Sequence, residues 1–126
     1  MEKKFINTPE APAPIGPYSQ AVQTGSLLFV SGQVAIDPLT NEVNTKDITT
    51  ETKLVMKNLL GILHEAQMDF NNVVKTTIFL TDMSLFAQVN EIYGSYFTGN
   101  FPARETVAVK GLPKNVNVEI SMIASG

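Results

Sequence analysis

Two segments with helical periodicity, separated by a run of β-branched residues, most constrain how this chain folds. Apolar residues between positions 52 and 66 recur at intervals of three and four, and positions 86 to 97 repeat that spacing. Between them, residues 72–81 are β-branched and apolar, which is typical of a strand. Helices that alternate with strands in this way predict that part of the sheet is parallel.

Two pairs of shorter alternating runs flank this central unit. The predicted strands are residues 18–24, 27–32, 72–81, 105–110 and 116–124. The first two surround the turn Thr24-Gly25-Ser26, which indicates antiparallel pairing. The predicted order is therefore β-β-α-β-α-β-β. An α+β fold, with a mixed β-sheet and two helices packed on one face, satisfies both signals.

The helix boundaries carry recognisable residues. Asp47 or Thr49 can cap the first helix, and Asp82 or Ser84 can cap the second. Gly99 is expected to end the second helix. The second helix is expected to turn five residues inward: Phe86, Val89, Tyr93, Tyr96 and Phe97. Their helical spacing favours core packing over a platform for stacking bases.

The composition excludes several classes of protein. A length of 126 residues predicts a single domain, residues 1–126, with room for a core. With no cysteine and one histidine, the chain has no disulfides, no thiolate nucleophile and no Cys or His cluster for a metal. A net charge of −3 argues against a main role in neutralising nucleic-acid phosphates. No signal peptide or membrane-spanning run is evident, so a cytoplasmic protein is expected.

The sheet face that carries no helices must be either exposed to solvent or covered by another subunit. Along the last strand, apolar positions alternate with a mixed set that includes Asn117, Glu119 and Ile123. A face that is neither strongly polar nor strongly apolar is typical of a surface in a symmetric oligomer. This pattern predicts a homo-oligomer.

Arg104 is the residue whose position is most suggestive of a binding role. It follows Phe101-Pro102-Ala103 at the entry to an alternating run, so it is held near a rigid element. A guanidinium held there is a fork for a carboxylate or a phosphate. A solvated arginine in a surface ion pair is the alternative interpretation.

Other polar residues also have two interpretations. Glu119, within an apolar strand, is either a solvated or ion-paired side chain or a general base that holds water. Tyr18 is an amphipathic core tyrosine or a site residue. Gly32, after Ser31, ends a strand for steric reasons or lets a ligand approach the backbone. Asn90 needs partners from the fold or from a ligand. His64 is expected to be an exposed helix residue.

Taken together, these residues resemble the reactive intermediate deaminase (Rid) family, RidA subgroup. The resemblance runs nearly end to end, through residues 13–21 (APIGPYSQA), 29–33 (FVSGQ), 74–80 (VKTTIFL), 90–93 (NEIY), 101–104 (FPAR), 112–113 (LP) and 118–120 (VEI). No single segment is decisive, but their order and spacing are specific.

The resemblance implies a chorismate-mutase-like fold and a homotrimer with clefts between subunits. It also implies a cofactor-free, metal-free enzyme that hydrolyses 2-iminopropanoate and 2-iminobutanoate to 2-keto acids and ammonia. Arg104 would hold the substrate carboxylate and Glu119 would activate water. Tyr18, Ser31 and the Gly32 carbonyl are candidates for the imine nitrogen, and Asn90 and the Thr106 backbone would complete the site.

One departure from the family pattern concerns the pair after Arg104. Many members have a small residue and a cysteine there, whereas this chain has Glu105 and Thr106. Strand alternation predicts that Glu105 points away from Arg104, and the change leaves the substrate range open. Two other functions remain as alternatives: a trimeric protein that senses small carboxylates such as keto acids, and an RNA-cleaving translation inhibitor.

Overall fold

The computed structural model describes residues 2–126 and contains one six-stranded sheet with two helices. The strands are β1 (Lys3–Ile6), β2 (Ala21–Thr24), β3 (Leu27–Gln33), β4 (Val73–Leu80), β5 (Ala103–Ala108) and β6 (Val118–Ser125). The helices are α1 (Ile48–Glu65) and α2 (Phe86–Gly94). Short 3₁₀ turns at Phe70–Asn72, Met83–Leu85 and Pro113–Asn115 precede β4, α2 and β6.

The sheet is mixed, as the sequence predicts. The strand order is β1-β2-β3-β6-β4-β5, and only the β4–β5 pair among these strands is parallel. β6 therefore lies in the centre although it comes last in the chain, and β5 forms an edge. The helices cover one face, which confirms the predicted α+β class and the placement of both helices.

The first helix starts at a predicted cap, whereas α2 follows Leu85 without a side-chain cap, so the prediction that Asp82 or Ser84 caps it is wrong. The second helix also ends early. Asp47 accepts a hydrogen bond from the Thr50 amide at 2.7 Å and caps α1. Asp82 caps the 3₁₀ turn that leads into α2. α2 ends at Gly94, so the prediction that it runs to Gly99 is wrong. Gly99 has φ +106° and belongs to the loop after the helix, which explains why a glycine is there.

At the N-terminal end, one predicted strand starts too early and one strand has no counterpart in the prediction. Tyr18 precedes β2, which begins at Ala21, because residues 11–20 follow an irregular path rich in bends. β1 was not predicted, since its four residues are mostly exposed and carry no clear alternation. The remaining strands agree with the predictions to within about two residues, the usual uncertainty of element ends.

The core lies between the sheet and the helices. α1 contributes Val55, Met56, Leu59, Ile62 and Leu63, which are fully buried. Each such side chain contributes about 1.5–3 kcal/mol by leaving water. Alternation leaves the other face open, and Phe5 and Phe29 on that face are 65% and 44% exposed. Within residues 2–126, neither helix combines the length and the apolarity needed to cross a bilayer.

Candidate active site

Arg104 lies on β5 and reaches toward α2 on the helix-covered side of the sheet. Its Nη1 donates to Asn90 Oδ1 at 2.6 Å. Its guanidinium carbon lies 5.6 Å from the ring centre of Phe86 and 5.3 Å from that of Tyr93. Both distances are in the range of cation–π attraction. The amide and the two rings fix the fork but leave its charge uncompensated, since no carboxylate in residues 2–126 forms an ion pair with it.

Tyr93 is held in turn by the sheet. Its hydroxyl shares a 2.8 Å hydrogen bond with Thr76 Oγ1 on β4, and both residues are buried. Burial raises the pKa of the Tyr93 hydroxyl, while the Thr76 hydrogen bond and the Arg104 charge act in the opposite direction. The ring therefore stays neutral and keeps its face toward the guanidinium. A cleft of about 420 Å³, the arginine pocket, is lined by Asn90, Tyr93, Gly94, Phe101, Pro102 and Arg104.

Glu105 does not compete for Arg104. Its carboxylate accepts from the Thr77 hydroxyl and pairs with Lys75 Nζ at 3.2 Å. The Thr77 hydrogen bond, followed by Lys75, lowers the pKa of the Glu105 carboxyl. Because neighbouring residues on a strand point to opposite faces, this charge lies across the sheet from Arg104. The predicted orientation of Glu105 is confirmed.

A second cleft contains the other predicted site residues. Its volume is about 350 Å³, and we call it the glutamate pocket. Four predicted residues line it: Tyr18, Ser31, Gly32 and Glu119. The remaining wall comes from the N-terminal segment, the end of β3 and the turn before β6: Pro12, Ala13, Ile15, Gln20, Gln33, Val34, Ile36 and Pro113. One polar end and an apolar wall suit a small organic molecule.

Gly32 leaves room for the Glu119 carboxylate. The β3–β6 register shifts between Val30 and Gln33, so Gly32 lies in a β-bulge beside Glu119. A Cβ on Gly32 would lie 2.8 Å from the Glu119 carboxyl carbon. What approaches this backbone closely is therefore a side chain of the same protein. Burial raises the pKa of the Glu119 carboxyl above its ordinary value.

Ser31 forms hydrogen bonds with the backbone of the two residues that follow Tyr18. Its hydroxyl donates to the Ser19 carbonyl at 2.6 Å, and its amide donates to the Gln20 carbonyl at 2.9 Å. The hydroxyl proton is therefore already used, and only the oxygen remains as an acceptor. Tyr18 is 48% exposed, and its hydroxyl accepts a long 3.4 Å hydrogen bond from the Ile15 amide. The phenol is thus free to rearrange around a ligand.

The two pockets lie on opposite sides of one sheet. Glu119 follows the buried Val118 and precedes the buried Ile120, so it points away from the helices, whereas Arg104 contacts α2. β4 separates their strands, and the partners of Arg104 and Glu119 on β4 are Thr76 and Phe79. Standard strand spacings place the two backbones roughly 10 Å apart across the sheet and about 10 Å apart along it. One copy cannot bring both groups to one small substrate.

The remaining predicted residues do not all lie in a pocket. Asn90 lies in the arginine pocket, whereas Thr106 lines neither pocket. The Thr106 hydroxyl is buried without a hydrogen-bond partner in the described part of the chain. His64 is exposed, as predicted. Sequence reasoning assigned Phe86 and Tyr93 to the core alone, although their faces also hold Arg104. The α2 positions opposite β5 could have indicated this only once the strand order was known.

Comparisons with known proteins agree with this fold. Residues 8–125 match the profile of the family described as Endoribonuclease L-PSP. The 2-iminobutanoate/2-iminopropanoate deaminase of Mus musculus is 50% identical over 122 residues, which cover 97% of this chain and 90% of that protein.

Two solved structures extend the comparison. The Rid-family protein YyfA from Yersinia pestis superposes with a TM-score of 0.96 at 45% identity, covering 99% of this chain and 100% of that one. E. coli TdcF with bound serine gives 0.93 at 38% identity, covering 98% of both chains.

Proposed function

This chain belongs to the Endoribonuclease L-PSP family, or Rid family, and from that premise we propose that it hydrolyses reactive 2-imino acids to 2-keto acids and ammonia. The substrates are small imines such as 2-iminopropanoate and 2-iminobutanoate, and the reaction takes place in the cytoplasm. The support comes from the deaminase relatives and from two pockets whose residues suit the two ends of such a substrate.

The active site forms between copies of the chain in a homotrimer. The observation that carries this proposal is the placement of Arg104 and Glu119 on opposite faces of the sheet. The arginine pocket of one copy faces the glutamate pocket of the next, and three such contacts close a ring. The exposed apolar side chains of the helix-free face, such as Phe29, supply the surface for this contact.

In this site the substrate carboxylate binds the Arg104 guanidinium, whose charge no carboxylate in residues 2–126 compensates by an ion pair. Glu119 of the neighbouring copy accepts a proton from water as the water oxygen bonds to the imine carbon. The C=N π electrons move to nitrogen, which takes the proton back from Glu119. In the resulting carbinolamine, Glu119 accepts the hydroxyl proton and passes it to nitrogen, the C–O bond becomes a carbonyl, and the C–N bond breaks to release ammonia. The Tyr18 hydroxyl lies in the same pocket and can hydrogen-bond the nitrogen.

The direct test follows the decay of 2-iminopropanoate generated in situ, with and without the protein. The proposal expects faster decay with the wild type and loss of at least about 10²-fold of that acceleration in Arg104→Ala, because the anchor and its orientation are lost together. Lys110→Ala removes a positive charge from an exposed position outside both pockets and serves as the control.

Other results would assign a different function. Keto-acid binding without turnover would make the chain a carboxylate sensor. RNA cleavage at physiological salt would favour a nuclease, the activity for which the Endoribonuclease L-PSP family is named. The net charge of −3 and the single histidine give little support to a nuclease. An unchanged imine decay rate would refute the proposed deaminase.

A further inference from the structure

Glu51 is a fully buried carboxylate that the proposed reaction does not use. It lies on α1 one turn before Val55, on the face that packs against the sheet, and it is 0% exposed. Its Oε2 accepts from the Asn117 and Val118 amides at 2.7 and 3.0 Å, and its Oε1 accepts from Asn117 Nδ2 at 2.8 Å. Asp47 already caps α1, so the helix itself does not require Glu51.

The backbone amides of Asn117 and Val118, which Glu51 binds, lie at the start of β6. There the neighbouring strand β3 offers them no hydrogen-bond acceptor. The β3–β6 pairing ends at Gln33 and Ile120, so Val118 and Asn117 have no partner residue on β3. The Glu51 carboxylate supplies the hydrogen-bond acceptor that β3 would otherwise provide. On the other side, the Asn117 carbonyl accepts from the Thr81 amide at 3.1 Å. The first residues of β6 are thus fixed between α1 and the end of β4.

The turn before β6 contains two residues in an unfavourable backbone conformation, so the contacts of Glu51 with Asn117 and Val118 help to hold it. Lys114 and Asn115 have φ of 58° and 56°, in the left-handed region. Each of these conformations is less favourable for an L-residue than the right-handed conformation. A turn of this kind relaxes if its downstream end is released, and the shift would be passed to Glu119, the residue after Val118.

We propose that Glu51 is the positioning residue for Glu119: by holding the two backbone amides before it, Glu51 sets the carboxylate over Gly32 in the glutamate pocket. This inference rests on the proposed deaminase. The length of the Glu51 side chain matters more than its charge, because the two amides require an acceptor oxygen at a fixed distance from Asn117 and Val118. Glu51 touches no substrate and acts only through β6.

Two substitutions separate reach from charge. Glu51→Asp keeps the charge and withdraws the oxygens by about one carbon–carbon bond. Glu51→Gln keeps the reach: its amide oxygen still accepts from both backbone amides, and its Nε2 donates to the Asn117 side-chain oxygen once that amide flips. We expect kcat to fall roughly tenfold in Glu51→Asp with KM nearly unchanged, and to stay within about twofold of wild type in Glu51→Gln. Glu65→Asp makes the same change at the exposed end of α1 and is the control.

A double-mutant cycle tests the route of the effect. If Glu51 acts through Glu119, adding Glu51→Asp to Glu119→Gln lowers the residual rate no further. A tenfold fall in that background too, or wild-type kcat in Glu51→Asp, would overturn the proposal. So would a loss in Glu51→Gln as large as the loss in Glu51→Asp.

A carboxyl ¹³C NMR titration gives a readout that does not depend on turnover. The Glu119 signal is assigned by its absence in Glu119→Gln. Its pKa should move toward the ordinary value in Glu51→Asp, as water enters beside a displaced carboxylate, and should stay unchanged in Glu51→Gln and Glu65→Asp. An unchanged pKa in Glu51→Asp would contradict the positioning role. If the wild type proves inactive on imines, the proposed deaminase fails, and this titration still decides the claim about Glu51.

Discussion

Arg104 and Lys75 show how differently two cations on neighbouring strands are used. Lys75 pairs with Glu105, so its charge is largely satisfied within the chain. Arg104 has an amide oxygen and two aromatic faces, which orient it without cancelling its charge. We expect a planar guanidinium oriented in this way to bind a carboxylate with little further ordering.

Gly32 is the residue for which the smallest change should matter most. In Gly32→Ala the added methyl overlaps the Glu119 carboxylate, whose flexible end can swing away at little cost in stability. We therefore expect kcat for imine hydrolysis to fall at least about tenfold, while the melting temperature changes by only a few degrees. Gly111→Ala is the control, since a Cβ there meets no heavy atom within 4 Å in the described structure. Normal kcat in Gly32→Ala would contradict the assignment of Glu119.

Glu119 should make activity and stability respond to pH in opposite directions. Burial raises its pKa above the ordinary 4.5, and only the deprotonated form accepts a proton from water. Activity should therefore be lost as pH falls through the raised pKa, and Glu119→Gln should remove this acid limb along with most of the rate. A pH–kcat profile measures both effects.

The ionisation of Glu119 should also make the folded state less stable as pH rises, because folding raises the pKa of this carboxyl group. A carboxyl group whose pKa is raised by folding stabilises the folded state below its unfolded pKa, and this contribution is lost as pH rises through the folded value. Glu119→Gln should thus melt at a higher temperature than wild type at neutral pH, and the difference should disappear below about pH 4.5. Thermal melts of both proteins across pH test this; equal melting temperatures throughout would contradict it.

Among the elements, the irregular segment between β1 and β2 depends on one side chain. Gln20 is 2% exposed; its amide oxygen accepts from the Thr8 amide at 2.7 Å, and its Nε2 donates to the carbonyls of Thr8, Ala11 and Pro12. Gly61 on α1 lets the same segment pass closely, because a Cβ there would lie 2.8 Å from the Glu10 carbonyl oxygen. The segment is therefore an anchored wall of the glutamate pocket.

Gln20→Ala should release this wall. It leaves several backbone groups without partners, and we expect a loss of about 2–4 kcal/mol in the free energy of unfolding, with reduced imine hydrolysis because Tyr18 loses its support. Gln88→Ala, an exposed glutamine on α2, is the control. Urea denaturation with parallel kinetics provides the measurement, and a stability within about 0.5 kcal/mol of wild type would show that the segment is held by other contacts.

Most of the helices and strands could be predicted from the sequence. The stripe on α1, the Asp47 cap and the central strand β4 follow from spacing and capping alone. The early end of α2 could not be predicted, because Tyr96 and Phe97 continue the apolar pattern and still pack against the core from the loop. The burial of Glu51 could have been inferred, since it lies four residues before Val55 on the inner face.

The residues proposed for the site could be chosen from the sequence, but their arrangement in the fold could not. Strand alternation placed Arg104 and Glu105 on opposite faces correctly. The separation of Arg104 from Glu119 depends on the order β6-β4-β5, which is set by long-range pairing that no local pattern reveals.

At the scale of the whole molecule, the opposed pockets predict that two inactive variants can restore each other. In a co-refolded equimolar mixture of Arg104→Ala and Glu119→Gln, about one site in four should combine an intact arginine with an intact glutamate, so about a quarter of wild-type activity should return. Native mass spectrometry verifies that mixed assemblies have formed, and each variant refolded alone is the control. No recovery in verified mixed assemblies would show that the site does not span two copies.

The two-sided sheet also has a genetic consequence. In the proposed ring, every copy takes part in two reaction sites, one through each face. A copy that has lost both halves therefore silences the sites on both of its sides, and activity falls as the square of the fraction of intact copies. Alleles that damage both faces yet still assemble should be partly dominant, whereas alleles that prevent assembly should be recessive.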